Sequence, residues 1–404
     1  MPLQDYQVLQ RDHDGKARVT VADGHIVELE TGGPYDIDGA RGVYVGDIWV
    51  LAGQSNMEGC ADLIDVETPS PLVHSFQSRE EWGIAEEPLH WLSDSPRDVH
   101  FQLWGMPGKP AERPPHDPSR TKGAGLGLTF GKLVHEQTRV PIGLIPAAHG
   151  GTSMAQWDPA LKELGGGSLY GATCERVKAC GGKVAGILWY QGESDTGAAE
   201  VPLYRAKMKT LVEAFRRDFD QPDLPFYYVQ LGRFAVLDDP GTVHGWNSVR
   251  EDQRLFVNDL PNLDVVTAID LGLDDGIHIG TDGLKRLGRR LARVAIGHPA
   301  PALEAVTVES NPLRVRITYK NIEGGLKSQG LPTGFSFRTS DGLEALRPWK
   351  VILDGPSVVL CIDGERVPDG VNLWYGWGAD PYCNITDAQD MAVPTFGPIS
   401  LATE

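Results

Sequence analysis

Short runs of consecutive apolar residues, each ended by a glycine or a polar cluster, recur through the middle of this chain. Ile48-Trp49-Val50-Leu51-Ala52 stops at Gly53, and VPIGLIPAA (140–148), VAGILWY (184–190), PFYYVQLG (225–232) and LDVVTAID (263–270) repeat the pattern. Runs that are apolar at every position, rather than at every second one, fit strands covered on both faces. Helical stretches lie between them. GLGLTFGKLVHEQT (125–138), SLYGATCERVKAC (168–180), WNSVREDQRLFVN (246–258) and GLKRLGRRLARVAIG (283–297) have helical patterning, and Tyr204, Met208, Leu211, Val212, Phe215 and Phe219 recur at helical spacing. Strand and helix alternate five times, which predicts an α/β domain: a parallel sheet with helices on both faces.

The flanks differ. Residues 1–40 alternate apolar and polar in Arg18-Val19-Thr20-Val21 and His25-Ile26-Val27-Glu28-Leu29, predicting a small N-terminal β segment. The α/β pattern fills 41–300. After His298-Pro299-Ala300-Pro301 the chain turns to strands such as LRVRITY and SVVLCI, so 301–404 reads as a C-terminal β domain. A stretch from about 61 to 122 holds many prolines and charges with Trp82, Trp91 and Trp104, and so long an irregular segment is usually functional or disordered. Its three tryptophans favour an ordered excursion over the sheet.

Composition excludes several partners. The 404 residues carry 37 Lys+Arg against 55 Asp+Glu, a net charge of −18, which leaves no basic footprint for nucleic acid or an anionic membrane. No apolar run approaches the roughly 20 residues that span a bilayer. The stretch MPLQDYQVLQRDHDGK has no secretory apolar core, so the sequence as it stands predicts a cytoplasmic protein; a secreted or periplasmic chain already trimmed of its signal would read the same. Five scattered cysteines without a CxxC suit small buried hydrophobes in a reducing compartment, and no Cys/His cluster has zinc-ligand spacing, so no metal or cofactor is expected. Oligomeric state cannot be read from the sequence.

Four polar motifs sit at the carboxyl ends of predicted strands, where ligands bind in open α/β sheets. Gly53-Gln54-Ser55-Asn56-Met57-Glu58-Gly59 can present a nucleophilic Ser55 and its own N–H on a tight turn, although taken singly it also reads as a helix N-cap. His149-Gly150-Gly151-Thr152-Ser153 can bring bare backbone N–H groups up to an anion, or be a plain turn. In Tyr190-Gln191-Gly192-Glu193-Ser194-Asp195, Gln191 can donate through its side chain beside the carboxylate of Glu193. Asp275-Gly276-Ile277-His278 can fold back so that the carboxylate takes the imidazole Nδ1–H and leaves Nε2 free as a base, or be surface decoration.

GQSNMEG, HGGTS, WYQGESD and DGIH together resemble the four blocks of the SGNH (GDSL-like) hydrolases, and specifically the sialate O-acetylesterase-like branch of carbohydrate esterases. DYQVLQRD, GVYVGDIWVLAGQSNM, DLPFYYVQLG and NLWYGWGADPYCNITDAQ extend the similarity over most of the chain. The resemblance implies a three-layer α/β/α, flavodoxin-like parallel sheet and a serine esterase that removes acetyl groups from sialic acid or plant cell-wall sugars. It implies Ser55 as nucleophile, His278 as base and Asp275 as the residue orienting that base. The Ser55, Gly150 and Gly151 N–H groups with the Gln191 amide would then form the oxyanion hole. Gln54, Glu193 and Trp157 are expected to support the site or touch substrate. The substrate partner is thus an acetylated carbohydrate. A short-chain esterase or thioesterase for other substrates, and a noncatalytic carbohydrate-binding protein, are the alternatives.

Overall fold

The molecule, a computed structural model, is described over residues 2–112, 115–117, 119–236, 239–310 and 312–401. Its axis is a 14-residue strand, β1 (Ala40–Gly53), whose last six residues are all buried. Beside it run β2 (Val73–Phe76), β3 (Ile142–Pro146), β4 (Gly186–Tyr190), β5 (Phe226–Gln230) and β6 (Leu263–Thr267), all parallel, in the order β6-β5-β4-β1-β3-β2. A short strand, Trp82–Ile84, closes the β2 edge antiparallel. Helices follow the strand ends: the single turn α1 (Ser55–Glu58), then α2 (Gly127–Thr138), α3 (Leu169–Ala179), α4 (Tyr204–Asp218), α5 (Pro240–Phe256) and α6 (Thr281–Ala295). α2 packs on α6 and α4 on α5, covering the sheet with helices.

β1 has β3 on one side and β4 on the other, so the winding reverses at its carboxyl end. That reversal opens a crevice above the strand ends. Ser55 stands at its lip.

One strand of this sheet escapes the sequence pattern. β2 lies inside the 61–122 excursion and reads Val-His-Ser-Phe, too short and too polar at its centre to announce itself. The ring of His74 lies between the carbonyls of Tyr6 (2.6 Å) and Pro71 (2.9 Å), one of which accepts its N–H, which lets a polar residue sit buried in a strand.

The N-terminal β region grows on the same long strand. Val8–Gln10 pairs parallel with β1 (Val8↔Tyr44, Gln10↔Gly46), and Gly32–Ile37 pairs antiparallel with it. Arg11 holds Asp47 with two 2.8 Å hydrogen bonds, and the Gln10 side-chain oxygen accepts the Ile48 N–H at 2.7 Å.

From Ala302 onward the described chain is β structure. Two four-stranded antiparallel sheets form, one from Ala302–Glu309, Arg314–Lys320, Ser357–Cys361 and Lys350–Asp354, the other from Glu344–Leu346, Phe335–Arg338, Asn372–Tyr375 and Phe396–Ser400. Val315, Ile317, Phe337, Leu360 and Leu373 belong to their shared core. Buried arginines fasten this region to the α/β part: Arg250 on α5 donates to the Gly378 and Ala379 carbonyls, and Arg290 on α6 to Asp270 and the Asp390 carbonyl.

Candidate active site

Gly53 is required where β1 ends. Its φ is +132°, and a Cβ there would lie 2.1 Å from the Tyr190 carbonyl oxygen. The chain then turns into α1, whose Met57 and Glu58 N–H groups bond back to the Gln54 carbonyl. The Ser55 N–H lies at the open end of this turn, without a backbone acceptor among the described residues. Ser55 itself is 8% exposed.

The base comes from a loop between β6 and α6. There the Leu273↔Ile279 bridge and the Asp274 N–H to His278 carbonyl bond (2.8 Å) fold the chain back on itself. Asp275 Oδ2 meets His278 Nδ1 at 2.7 Å, while its Oδ1 accepts the Ile277 and His278 N–H groups at 2.8 Å each. Burial would raise the Asp275 carboxyl, but these three bonds outweigh it and hold the group down at about 2. The carboxylate is therefore charged at any working pH, and the ring keeps its proton on Nδ1.

Asn56 joins the two loops. Its Oδ1 accepts the Ile279 N–H at 3.0 Å, and its Nδ2 donates to Glu193 Oε1 at 2.9 Å and to the Ile277 carbonyl at 3.4 Å. The residue next to Ser55 thus grips both residues that flank His278. Glu193, half-buried, is pushed upward by burial, against the Asn56 bond and the nearby His278. Gln54 lies buried between the Gly192 and Ser194 N–H groups on one side and the Thr152 carbonyl and Glu193 on the other. In one amide orientation its oxygen accepts the two N–H groups; in the other its nitrogen donates to Thr152 O and Glu193 Oε2, both at 3.2 Å.

The glycine pair lies beside Ser55. A Cβ on Gly150 would lie 3.4 Å from the Ser55 Cβ, so the two residues touch. Yet the Gly150 N–H is not open: it donates to Glu58 Oε2 at 2.6 Å. Burial raises the Glu58 carboxyl to about 7, against this bond and the charges of Arg120 and His278. Gly151, exposed and at φ +69°, has no such acceptor among the described residues.

The Gln191 amide, expected to face an oxyanion, is engaged inward. It is fully buried, and its Nε2 donates to Asp195 Oδ2 at 2.6 Å and to the Thr152 carbonyl at 3.1 Å. Asp195 also takes the Met154 N–H at 2.8 Å. A buried carboxylate four residues along is the strongest local acceptor, and it captures the amide. Trp157 is likewise turned inward: it is 0% exposed, edge-on to Trp189, and its Nε1 donates to Thr152 Oγ1 at 3.1 Å. Both residues brace the 149–154 loop. Of the excursion tryptophans, Trp82 is in the core and Trp91 is clamped between His116 and Arg120. Trp104 is 49% exposed and lies 5.8 Å from the His149 ring.

Sequence reasoning missed Asn56 and Glu58, although both stand in the serine motif, and it missed the buried pair His100 and His149. Those two rings stack, and their Nδ1 atoms meet at 2.9 Å. One donates and the other accepts, so the accepting ring carries no proton on Nδ1. Burial takes His149 down to about 4 and His100 well below its usual value. A grouping of carboxylates and histidine fit for a metal occurs among the described residues at Asp12, His13 and Asp14, on the N-terminal β turn rather than at this site.

Residues 45–297 match the family model for carbohydrate esterases of the sialic acid-specific acetylesterase type. A probable carbohydrate esterase of Arabidopsis thaliana is 27% identical over 274 residues, covering 62% of this chain and 90% of that protein. Human sialate O-acetylesterase is 26% identical over 255 residues, and the match takes in 54% of this chain but only 46% of that longer protein. A solved carbohydrate acetylesterase from Xanthomonas citri shares the fold across 98% of both chains, with a TM-score of 0.71 at 23% identity.

Proposed function

This chain belongs to the carbohydrate esterase, sialic acid-specific acetylesterase family, and from that premise we propose that it hydrolyses O-acetyl esters of sugars by a serine mechanism carried by Ser55, His278 and Asp275. The observation that carries the reading is the 2.7 Å Asp275–His278 contact on a loop that Asn56 ties to the Ser55 turn. Those contacts give the base its tautomer and its place relative to the nucleophile.

In the first half-reaction Ser55 Oγ attacks the acetyl carbonyl while His278 Nε2 takes its proton. Asp275, charged throughout, stabilises the imidazolium that forms. The tetrahedral oxyanion faces the Ser55 and Gly151 N–H groups, a pair of fixed dipoles each of which is typically worth about 3 kcal/mol to a transition state. His278 then gives its proton to the departing sugar oxygen, leaving acetyl-Ser55. Water repeats the sequence, with His278 as base again, and releases acetate.

Glu58 adjusts this hole. When ionised, its carboxylate occupies the Gly150 N–H as an oxyanion would. Protonated, it is a weaker acceptor, and the third donor becomes available to substrate. Gln191 serves by holding Asp195 and Thr152 rather than by touching the ester.

Acetate release from acetylated xylan, acetylated xyloglucan, pectin and O-acetyl sialic acids, with wild type and Ser55→Ala side by side, tests the reading. Release from at least one substrate that vanishes in Ser55→Ala supports it; a variant that retains turnover rejects it.

A further inference from the structure

A broad groove lies apart from Ser55, and no residue of the Ser55, Asp275 and His278 triad lines it. It encloses roughly 790 Å³ between the outward face of α5 and the C-terminal β region. One wall is His244, Asn247, Ser248 and Glu251, spaced i, i+3, i+4, i+7 and so aligned on one face of the helix. The other is aromatic. Trp374 and Trp377, both half-buried, stand edge to face with centroids 4.5 Å apart. The Arg338 guanidinium lies 4.8 Å from the Trp377 ring and donates to the Gly342 carbonyl at 2.8 Å, which fixes the ring and the 339–343 turn together.

The α5 wall of the groove is tied to the catalytic loop through the segment that precedes the helix. α5 begins directly after the loop that leaves the carboxyl end of β5, and that loop binds both neighbours. The Ala235 N–H donates to the Gly276 carbonyl of the Asp275–His278 loop at 2.7 Å, and the Phe234 N–H to the Ala379 carbonyl at 2.9 Å.

We propose that this groove is a binding site for an uncharged pyranose chain, which it holds by stacking on Trp374 and Trp377 while hydroxyls pair with the helix wall. Ring faces opposite a row of short polar side chains suit a molecule with apolar faces and a polar rim, which describes a pyranose. Charge then selects among sugars. Asp239, Glu251, Asp252 and Asp341 all line the groove, and of these Glu251 is paired to an arginine, Arg254, at 2.6 Å. A uronate or sialate chain would meet three carboxylates along the α5 wall and Asp341 on the facing turn, whereas a neutral chain meets acceptors for its hydroxyls. The role of the groove in presenting an acetylated polymer rests on the esterase reading; its affinity for sugar does not.

Calorimetric titration of the full chain with unacetylated xylohexaose, cellohexaose and hexagalacturonate tests this directly. At least one neutral hexaose binds, hexagalacturonate does not, and Trp377→Ala weakens the neutral ligand by at least about ten-fold. Ser248→Arg, which fills the groove from the opposite wall at a partly exposed helix position, gives the same loss if Trp377→Ala proves unstable. In parallel, the ratio of kcat/KM on acetylated xylan to that on 4-nitrophenyl acetate falls in both variants. Binding of neither neutral hexaose, equal binding of hexagalacturonate, or binding untouched by both substitutions overturns the proposal. A wild type inert on both esters would refute the esterase reading alone, since the hexaose titration stands without it.

Discussion

Around Ser55 the interior is polar: Gln54, Asn56, Gln191, Asp195, His100 and His149 are all buried and bonded to one another or to nearby backbone. In the C-terminal region the buried centre is Val315, Ile317, Phe337, Leu360 and Leu373, whose side chains are all apolar. Both interiors are tightly closed, but by different physics. An apolar core tolerates exchange of shapes at similar volume, while a polar network fixes individual atoms and is costly wherever one bond is left unmade. The contrast teaches that atom-by-atom geometry is concentrated at one end of the parallel sheet, while the C-terminal region is closed by shape-tolerant apolar packing.

The contrast can be broken by mutation. The largest expected effect is Ser55→Ala, which should lower kcat on 4-nitrophenyl acetate by about 10⁵–10⁶-fold while leaving the melting temperature nearly unchanged. Next, Asp275→Asn should cost about 10⁴-fold in kcat because the ring loses its tautomer control. Asp275 is held near 2, below its unfolded value, so its contribution to stability is present above about pH 4 and fades only as pH falls toward 2. A pH–rate profile of wild type should therefore show no titration of this carboxylate above about pH 4.

The opposite behaviour is expected of Ile317→Ala. It should cost about 2–5 kcal/mol in denaturant unfolding with kcat unchanged, and a large fall in kcat would mean that the two interiors are not separable. Glu58→Gln is subtler. In wild type Glu58 ionises as pH rises through about 7 and then grips the Gly150 N–H. kcat/KM should fall on that alkaline side by roughly ten-fold, and the glutamine variant should lack the fall. An alkaline limb that is identical in both would separate Glu58 from the oxyanion hole.

The effect confined to acid pH concerns His90, buried and held neutral, with its value taken down to about 3 by burial. The folded state binds this proton less readily than the unfolded one, so stability is lost as pH falls from about 6.5 toward 3. His90→Gln, which can still accept the Ala148 N–H that His90 Nε2 takes at 3.2 Å, should flatten the acid slope by about 1.4 kcal/mol per pH unit. Urea unfolding at pH 4, 5 and 6 measures it.

Much of this organisation is legible in the linear chain, for a definite reason. Runs such as Ile48–Ala52 and Ile187–Tyr190 are buried on both faces, so every residue carries the signal, and the motifs that follow are placed by the sheet itself. The pairing of Asp275 with His278 is equally local, three residues apart. What stayed hidden depends on distant partners. β2 is a strand because a carbonyl of Tyr6 or Pro71 accepts the His74 N–H. Gly150 is engaged because a carboxylate 92 positions earlier reaches it. Gln191 turns inward because Asp195 outbids the crevice, and nothing in WYQGESD reveals which way an amide faces. The groove beside α5 arises from segments about a hundred residues apart, which no local pattern joins.

The long strand β1 has a consequence for how this chain can be cut or extended. Strands alternate their faces with every residue, so a shift of one position along β1 would turn Ile48, Val50 and Ala52 the wrong way and move the serine by a full step of about 3.4 Å. The Val8–Gln10 strand, the Gln10 side chain and the Arg11–Asp47 ion pair all clamp β1 near Gly46. The first dozen residues therefore act as an alignment key for a nucleophile more than forty positions downstream. Protein engineers who pare the molecule down to its strand–helix repeat, or who splice a fusion partner into that clamp, would be altering the calibration of the active centre from its far end.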